Sequence, residues 1–178
     1  MIATYQLFFF IVLFILRFYT LIISKKNEQK LKAMGAVAYG TTNSTLLVIA
    51  HFGYCIACLV EGILNHKAFI TDQITSAGII LYFLSIIVLY YVIFSIRHVW
   101  TVKLIIAPKA YHTVNKNFLF KYIKHPNYFL NIIPELIGFA FMFHAYFTLI
   151  IGLPIYLVPL IIRIIQENRV MKQHFENY

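Results

Sequence analysis

Four ionisable side chains, His51, Glu61, Glu135 and Arg163, lie inside otherwise apolar runs of the sequence. At membrane depth such groups cost several kcal/mol unless they are paired or solvated in a cavity, so each is a candidate for function. Glu61 falls near the end of its run, where a carboxylate reaches water, and reads as interfacial. His51 reads as a buried, hydrogen-bonded histidine. Glu135 and Arg163 could face each other across a helical hairpin, as a structural salt bridge or as part of a site. Arg163 and Glu167 are four residues apart, which on a helix puts both on one face and aims them into the same cavity.

A second concentration of chemistry is the polar stretch YHTVNKNFLFKYIKHPNYF, residues 111–129, with two histidines, a proline and several aromatics. Pro126 biases His125 away from helix, so the chain bends there and leaves backbone groups free for a ligand. His112 and His125 are 13 residues apart with no Cys or carboxylate at ligand spacing, so no metal site is expected. Cys55 and Cys58 form a C-x-x-C spacing, but they lie within the run TLLVIAHFGYCIACLV with no second pair, and read as small buried packing residues.

The elements that must position these groups are transmembrane helices. Of 178 residues, 61% are hydrophobic and 17% aromatic, and the mean hydropathy is +0.80. That leaves too little polar surface to cover a soluble core. The net charge of +9 comes from short basic clusters between apolar runs, an arrangement of membrane topology and not of nucleic-acid binding. Crossing the ~30 Å hydrocarbon layer takes about 20 apolar residues, and residues 2–23, 43–64 and 75–96 supply three such runs. The run from Tyr128 to Ile165 is about twice that length and reads as two helices with a tight turn near His144 and Ala145. The expected fold is therefore all-α, a polytopic membrane protein of about five helices.

The first run lacks the basic start and small-residue cleavage site of a signal peptide and reads as a retained span. Lys25, Lys26, Lys30 and Lys32 follow it, and Arg97, Lys103, Lys109, Lys116, Lys121 and Lys124 lie between the third and fourth spans. Arg163, Arg169 and Lys172 close the chain, and only Lys67 falls on the other side. By the positive-inside rule the N-terminus is outside and the C-terminus cytosolic, with Arg17 snorkelling from the inner end of span one. Trp100 and the tyrosines near span ends read as interfacial anchors. The small residues of GAVAYGTTNST permit close helix approach or a flexible entry to span two.

On these residues the sequence resembles the isoprenylcysteine carboxyl methyltransferase family of integral membrane enzymes. The match rests on HTV at His112 to Val114, KHPNY at Lys124 to Tyr128, and Arg163 followed by Glu167, in the family's order and spacing. It covers residues 97–178, the methyltransferase-like region. Residues 1–96, three helices with a basic loop, match only in kind. The family usually has Arg where Lys124 stands, Gly where Phe118 stands, Tyr where Phe120 stands and often a second acid at Asn168.

The resemblance implies an S-adenosylmethionine site lined by His112, Thr113, Val114, Asn115, Phe120, His125, Pro126, Asn127, Tyr128 and Glu167, with Arg163 on the methyl acceptor. Glu135 is a further catalytic candidate where the acceptor is a hydroxyl. The expected activity is O-methylation of a lipidic acceptor entering from the bilayer, either an isoprenylcysteine-type carboxylate or a long-chain alkylpyrone-type hydroxyl. A bacterial cytoplasmic membrane is favoured over endoplasmic reticulum. Alternatives are a phospholipid N-methyltransferase, an NADPH-dependent membrane reductase, and an inactive scaffold of the same fold.

Overall fold

The computed structural model describes residues 2–68, 70–106, 119 and 122–174, with side chains from residue 8 onward. Helix α1 spans Ile2–Ala33, α2 Thr41–Leu64 and α3 Gln73–Ser95. A hairpin follows, of α4 (Asn127–Met142) and α5 (Thr148–His174). Four of the five helices are long and apolar enough to cross a membrane, with hydropathy of 2.0 to 2.5 over their best windows, and α4 is a shorter apolar helix. The fold is that of a helical membrane protein. Large apolar side chains such as Phe8, Ile49, Ile56, Phe94 and Ile150 are exposed on the outside, an arrangement that suits lipid as solvent.

Helix α1 does not stop where its apolar run ends. Lys, Glu and Gln are good helix formers, and the Glu28–Lys32 pair (2.7 Å) adds support one turn apart. The segment KKNEQKLK is therefore helical and not a loop. It is followed by a short antiparallel ribbon, β1 (Val37–Tyr39) against β2 (Leu104–Ile106), with Ala38 opposite Ile105. This ribbon is an addition to the expected all-α fold. Pairing with a partner some 65 residues away supplies the backbone hydrogen bonds that the local pattern does not.

Both hairpin helices begin with a π-helical turn, Asn127–Ile132 and Thr148–Gly152. Each precedes a proline, Pro134 or Pro154, which has no N–H to donate one turn back, so the widened turn absorbs the missing bond. The turn itself falls at Phe143–His144, with His144 at φ 53°, as the doubled apolar run implies. His144 is pinned there by Thr75 Oγ1 (3.0 Å) and Tyr146 Oη (3.0 Å). Beside it Asp72 caps α3, accepting from the Thr75 backbone N–H (2.8 Å), and that bond holds its carboxyl below the usual range. Glu61, half-buried near the end of α2, is also engaged. It accepts from the Phe147 and Thr148 backbone N–H groups (2.9 and 2.7 Å) and so caps α5 from α2.

Helices α3 and α4 form the most extensive pair, and glycines permit it. A Cβ on Gly78 would lie 2.5 Å from the Met142 backbone N and 2.7 Å from the Gly138 carbonyl oxygen, and one on Gly138 would lie 2.8 Å from the Gly78 carbonyl oxygen. Backbone atoms cannot move aside as a side chain can. Gly78→Ala is expected to cost about 1–3 kcal/mol by overpacking, read as a lower denaturation midpoint in detergent micelles. Cys55 and Cys58 are free and buried among these helices, as packing residues would be.

Candidate active site

Arg163 on α5 is 4% exposed and holds three elements at once. Its Nη1 donates to Ser44 Oγ on α2 (2.6 Å), its Nη2 to the Val102 carbonyl in the connection after α3 (2.9 Å) and its Nε to Tyr128 Oη on α4 (3.2 Å). The planar fork suits such divergent acceptors, where a lysine offers one compact ammonium. Among the described residues no carboxylate lies within 4 Å of this guanidinium. A buried cation held only by neutral acceptors is incompletely compensated, and an anionic group in the adjoining cavity would complete it.

One turn along, Glu167 meets the KHPNY bend. Tyr128 Oη donates to Glu167 Oε2 while accepting from Arg163 Nε, so a single hydroxyl links the two ends of the Arg163–Glu167 face. His125 is 6% exposed and stacks on the Tyr128 ring, with centroids 5.5 Å apart. Its Nε2 pairs with Asn168 Oδ1 (3.1 Å). Its Nδ1 lies 3.4 Å from Glu167 Oε1 but has no hydrogen bond and is fully buried. Pro126 opens α4 at φ −62°, and the His125 carbonyl accepts from the Tyr128 and Phe129 N–H groups (3.1 and 3.2 Å), which turns both side chains inward.

A cavity of about 100 Å³ runs from this cluster between α1, α2, α4 and α5. Asn127, Tyr128 and Arg163 line one part of it, and Arg17, His51 and Tyr156 line another. Trp100 forms a wall at 5% exposure and is not an interfacial anchor. Its connection is tied down to α1: Asn27 Nδ2 donates to the Arg97 and Trp100 carbonyls (3.0 and 2.8 Å), and Ser24 Oγ accepts from the Val102 N–H (2.9 Å). That anchoring buries the indole and presents the Val102 carbonyl to Arg163.

The second polar group of the cavity corrects the sequence reading. Glu135, 2% exposed, does not face Arg163. It pairs with Arg17 Nη2 (3.4 Å) on α1 and with His51 Nε2 (3.4 Å) on α2. Arg17 likewise turns inward instead of snorkelling, and with the Asn131 amide oriented by its neighbours, Asn131 oxygen accepts from Arg17 Nη1 (3.2 Å). Arg17 and His51 were the residues missed as partners. The available signal was that Glu135 at depth demands a cation, and Arg17 is the one basic residue within the first apolar run.

Of the candidate site residues, His125, Pro126, Asn127, Tyr128, Arg163 and Glu167 come together around one end of the cavity, and Glu135 lies with Arg17 and His51. His112, Thr113, Val114, Asn115 and Phe120, and the departure at Phe118, lie outside the described residues. Among the described residues no cluster of three metal-ligating side chains occurs.

Comparison with known proteins locates this arrangement. An uncharacterized protein of Haemophilus influenzae is 45% identical over 160 residues, covering 90% of this chain and 91% of the relative. The uncharacterized protein YpbQ of Bacillus subtilis is 26% identical over 153 residues, covering 85% and 88%. No solved structure matches. The family model for the isoprenylcysteine carboxyl methyltransferase (ICMT) family matches residues 78–173, more than half of the chain, with all of α4 and all but the last residue of α5. With its multi-pass helical fold and the Arg163–Tyr128–Glu167 array inside that matched region, the chain belongs to the isoprenylcysteine carboxyl methyltransferase family of membrane methyltransferases.

Proposed function

We propose that this protein transfers a methyl group from S-adenosylmethionine to an oxygen of a lipid-like acceptor that approaches Arg163 through the cavity. The observation that carries the reading is the buried Arg163 guanidinium, linked through the Tyr128 hydroxyl to Glu167 and bonded to neutral acceptors among the described residues. Three of the five guanidinium N–H bonds are engaged, so one on each Nη is left for an acceptor oxygen bearing negative charge, which helps fix its orientation.

The residues around Tyr128 fit the methyl donor. Glu167 accepts from hydroxyl or amine groups, and His125 Nδ1, 3.4 Å from Glu167 Oε1 and without a hydrogen bond, is a second polar group beside an aromatic ring that favours a cation. His125, Pro126, Asn127, Tyr128 and Glu167 would hold the donor, together with His112, Thr113, Val114, Asn115 and Phe120 by resemblance. When bound, the donor supplies a methyl group on a positively charged sulfur. The chain's own contribution is to align an acceptor oxygen at Arg163, to hold donor and acceptor through one shared hydroxyl, and to exclude water behind Trp100 and the π-helical start of α4. A carboxylate acceptor needs no base. An ammonium headgroup is disfavoured beside a buried guanidinium of like charge, which argues against phospholipid N-methylation.

Calorimetric titration of the detergent-solubilised protein with S-adenosylmethionine and, separately, NADPH tests this. Wild type is expected to bind the methyl donor and not NADPH. His125→Ala and Glu167→Ala are expected to weaken binding by about tenfold or more, the effect of losing one charge-assisted hydrogen bond. Absence of donor binding in the wild type would sink the reading, and binding of NADPH in its place would point to a reductase.

A further inference from the structure

Three ionisable groups in this chain do nothing for the reading above: Arg17, His51 and Glu135. Their arrangement is ordered by chemistry. Glu135 lies 3.4 Å from His51 Nε2 and 3.4 Å from Arg17 Nη2. With its amide turned so that the oxygen faces the guanidinium, Asn131 accepts a second N–H of Arg17 (3.2 Å), and Asn131 and Glu135 are one turn apart on α4. His51 lines the same cavity as Arg163, and its Nδ1 is fully buried with no hydrogen-bond partner. A carboxylate on one ring nitrogen selects the tautomer with its proton on Nε2, so the lone pair is on Nδ1, the unpartnered atom. This is the logic by which a carboxylate orients and supports a histidine base.

A purely structural ion pair would need only Arg17 and Glu135. The histidine lines the cavity, with Nε2 3.4 Å from the carboxylate and Nδ1 buried without a hydrogen bond, and that is what a structural pair leaves unexplained. The remaining ring neighbours are Phe52 and Tyr156, with centroids 6.2 and 6.0 Å away, so no second charge is stacked on the imidazole. The residues lie on α1, α2 and α4, and Arg17 and His51 fall outside the matched region, residues 78–173.

We propose that His51 is a general base for a hydroxyl-bearing acceptor, with Glu135 orienting the ring and Arg17 holding Glu135; the proposal rests on the methyl-transfer reading and adds to it that the acceptor oxygen arrives protonated. The O–H bond of a phenolic or enolic acceptor breaks, its electron pair stays on oxygen, and the proton passes to His51 Nδ1. The imidazolium so formed is balanced by the Glu135 carboxylate, and the acceptor oxyanion by Arg163 on the same cavity. His51 touches the acceptor and is catalytic in this scheme. Glu135 and Arg17 are positioning residues.

The test needs no methyl donor. A para-nitrophenol carrying a dodecyl chain absorbs in the visible only as its phenolate, and it quenches tryptophan fluorescence. Trp100 is the single tryptophan of the chain and lines the cavity, so quenching reports occupancy and an intact cavity in the same sample. At a pH where the free probe in detergent is protonated, the wild type is expected to quench and to show the phenolate band. At equal quenching, His51→Gln and His51→Asn are expected to show roughly tenfold less phenolate, and Glu135→Gln an intermediate loss. A bound probe that stays neutral in the wild type overturns the proposal. So does an undiminished phenolate band in both His51 variants, which would assign the stabilisation to the arginines alone. Absence of Trp100 quenching overturns the cavity as the acceptor's route. Failure of the methyl-donor reading shows instead in the calorimetry, where S-adenosylmethionine does not bind whatever the probe does.

Discussion

Arg163→Lys is expected to lower methyl transfer to lipid extracts by roughly 100-fold or more, because one ammonium cannot replace three divergent donors and still face a ligand. In the native arrangement the guanidinium satisfies Ser44 Oγ, the Val102 carbonyl and Tyr128 Oη together. A lysine reaching any one of them leaves the others unpaired at depth and releases the Trp100 connection from α5. The acceptor then loses both its counter-charge and its orientation, the two contributions that proximity and a preorganised cation make to rate. The measurement is transfer of radiolabel from S-adenosylmethionine into extracted lipids, alongside calorimetry of the same samples. Loss of transfer with donor binding kept within a few-fold supports an acceptor-side role. Unchanged transfer would remove Arg163 from the site.

The second large effect concerns stability. Arg17→Met and Glu135→Leu are each expected to destabilise the protein by about 3–5 kcal/mol, the cost of leaving one member of a buried pair uncompensated. The double variant is expected to recover a large part of that loss, since an apolar pair of similar volume carries no desolvation penalty. Glu135 is 2% exposed against 17% for Arg17, so the Arg17→Met variant, which strands the deeper charge, is expected to be the worse of the two. Denaturation midpoints in detergent micelles for the four members of the cycle measure the coupling. Strict additivity would mean that the pair makes no net contribution.

These expectations show where local reading works. The run from Tyr128 to Ile165 announces a hairpin because its length is double what one crossing needs, and the turn at Phe143–His144 follows from length alone. The pairing of Arg163 with Glu167 on one face follows from helical period. HTV, KHPNY and the Arg–Glu step are short, but their order along the chain pointed to the family that the comparison then gave. The partners of buried charge were not legible in this way. Glu135 was placed opposite Arg163 because both lie in the hairpin, whereas its cation comes from α1. Trp100, expected at the interface, is buried where Asn27 and Ser24 on α1 hold the backbone of its connection.

Apolar length, charge asymmetry and motif spacing therefore came from the sequence by itself, because a helix in lipid satisfies its own backbone and its existence depends on neighbours along the chain. Which charge meets which, how the ribbon between β1 and β2 pairs, and where the cavity runs were decided only by tertiary structure. These depend on the packing of helices far apart in sequence, with Gly78 and Gly138 letting α3 and α4 approach and Arg17 drawing α1 against the hairpin. Arg163 and Glu167 could be named from one helix alone, but the Tyr128 hydroxyl between them, and the Arg17–Glu135–His51 group across the cavity, exist only once the bundle has closed.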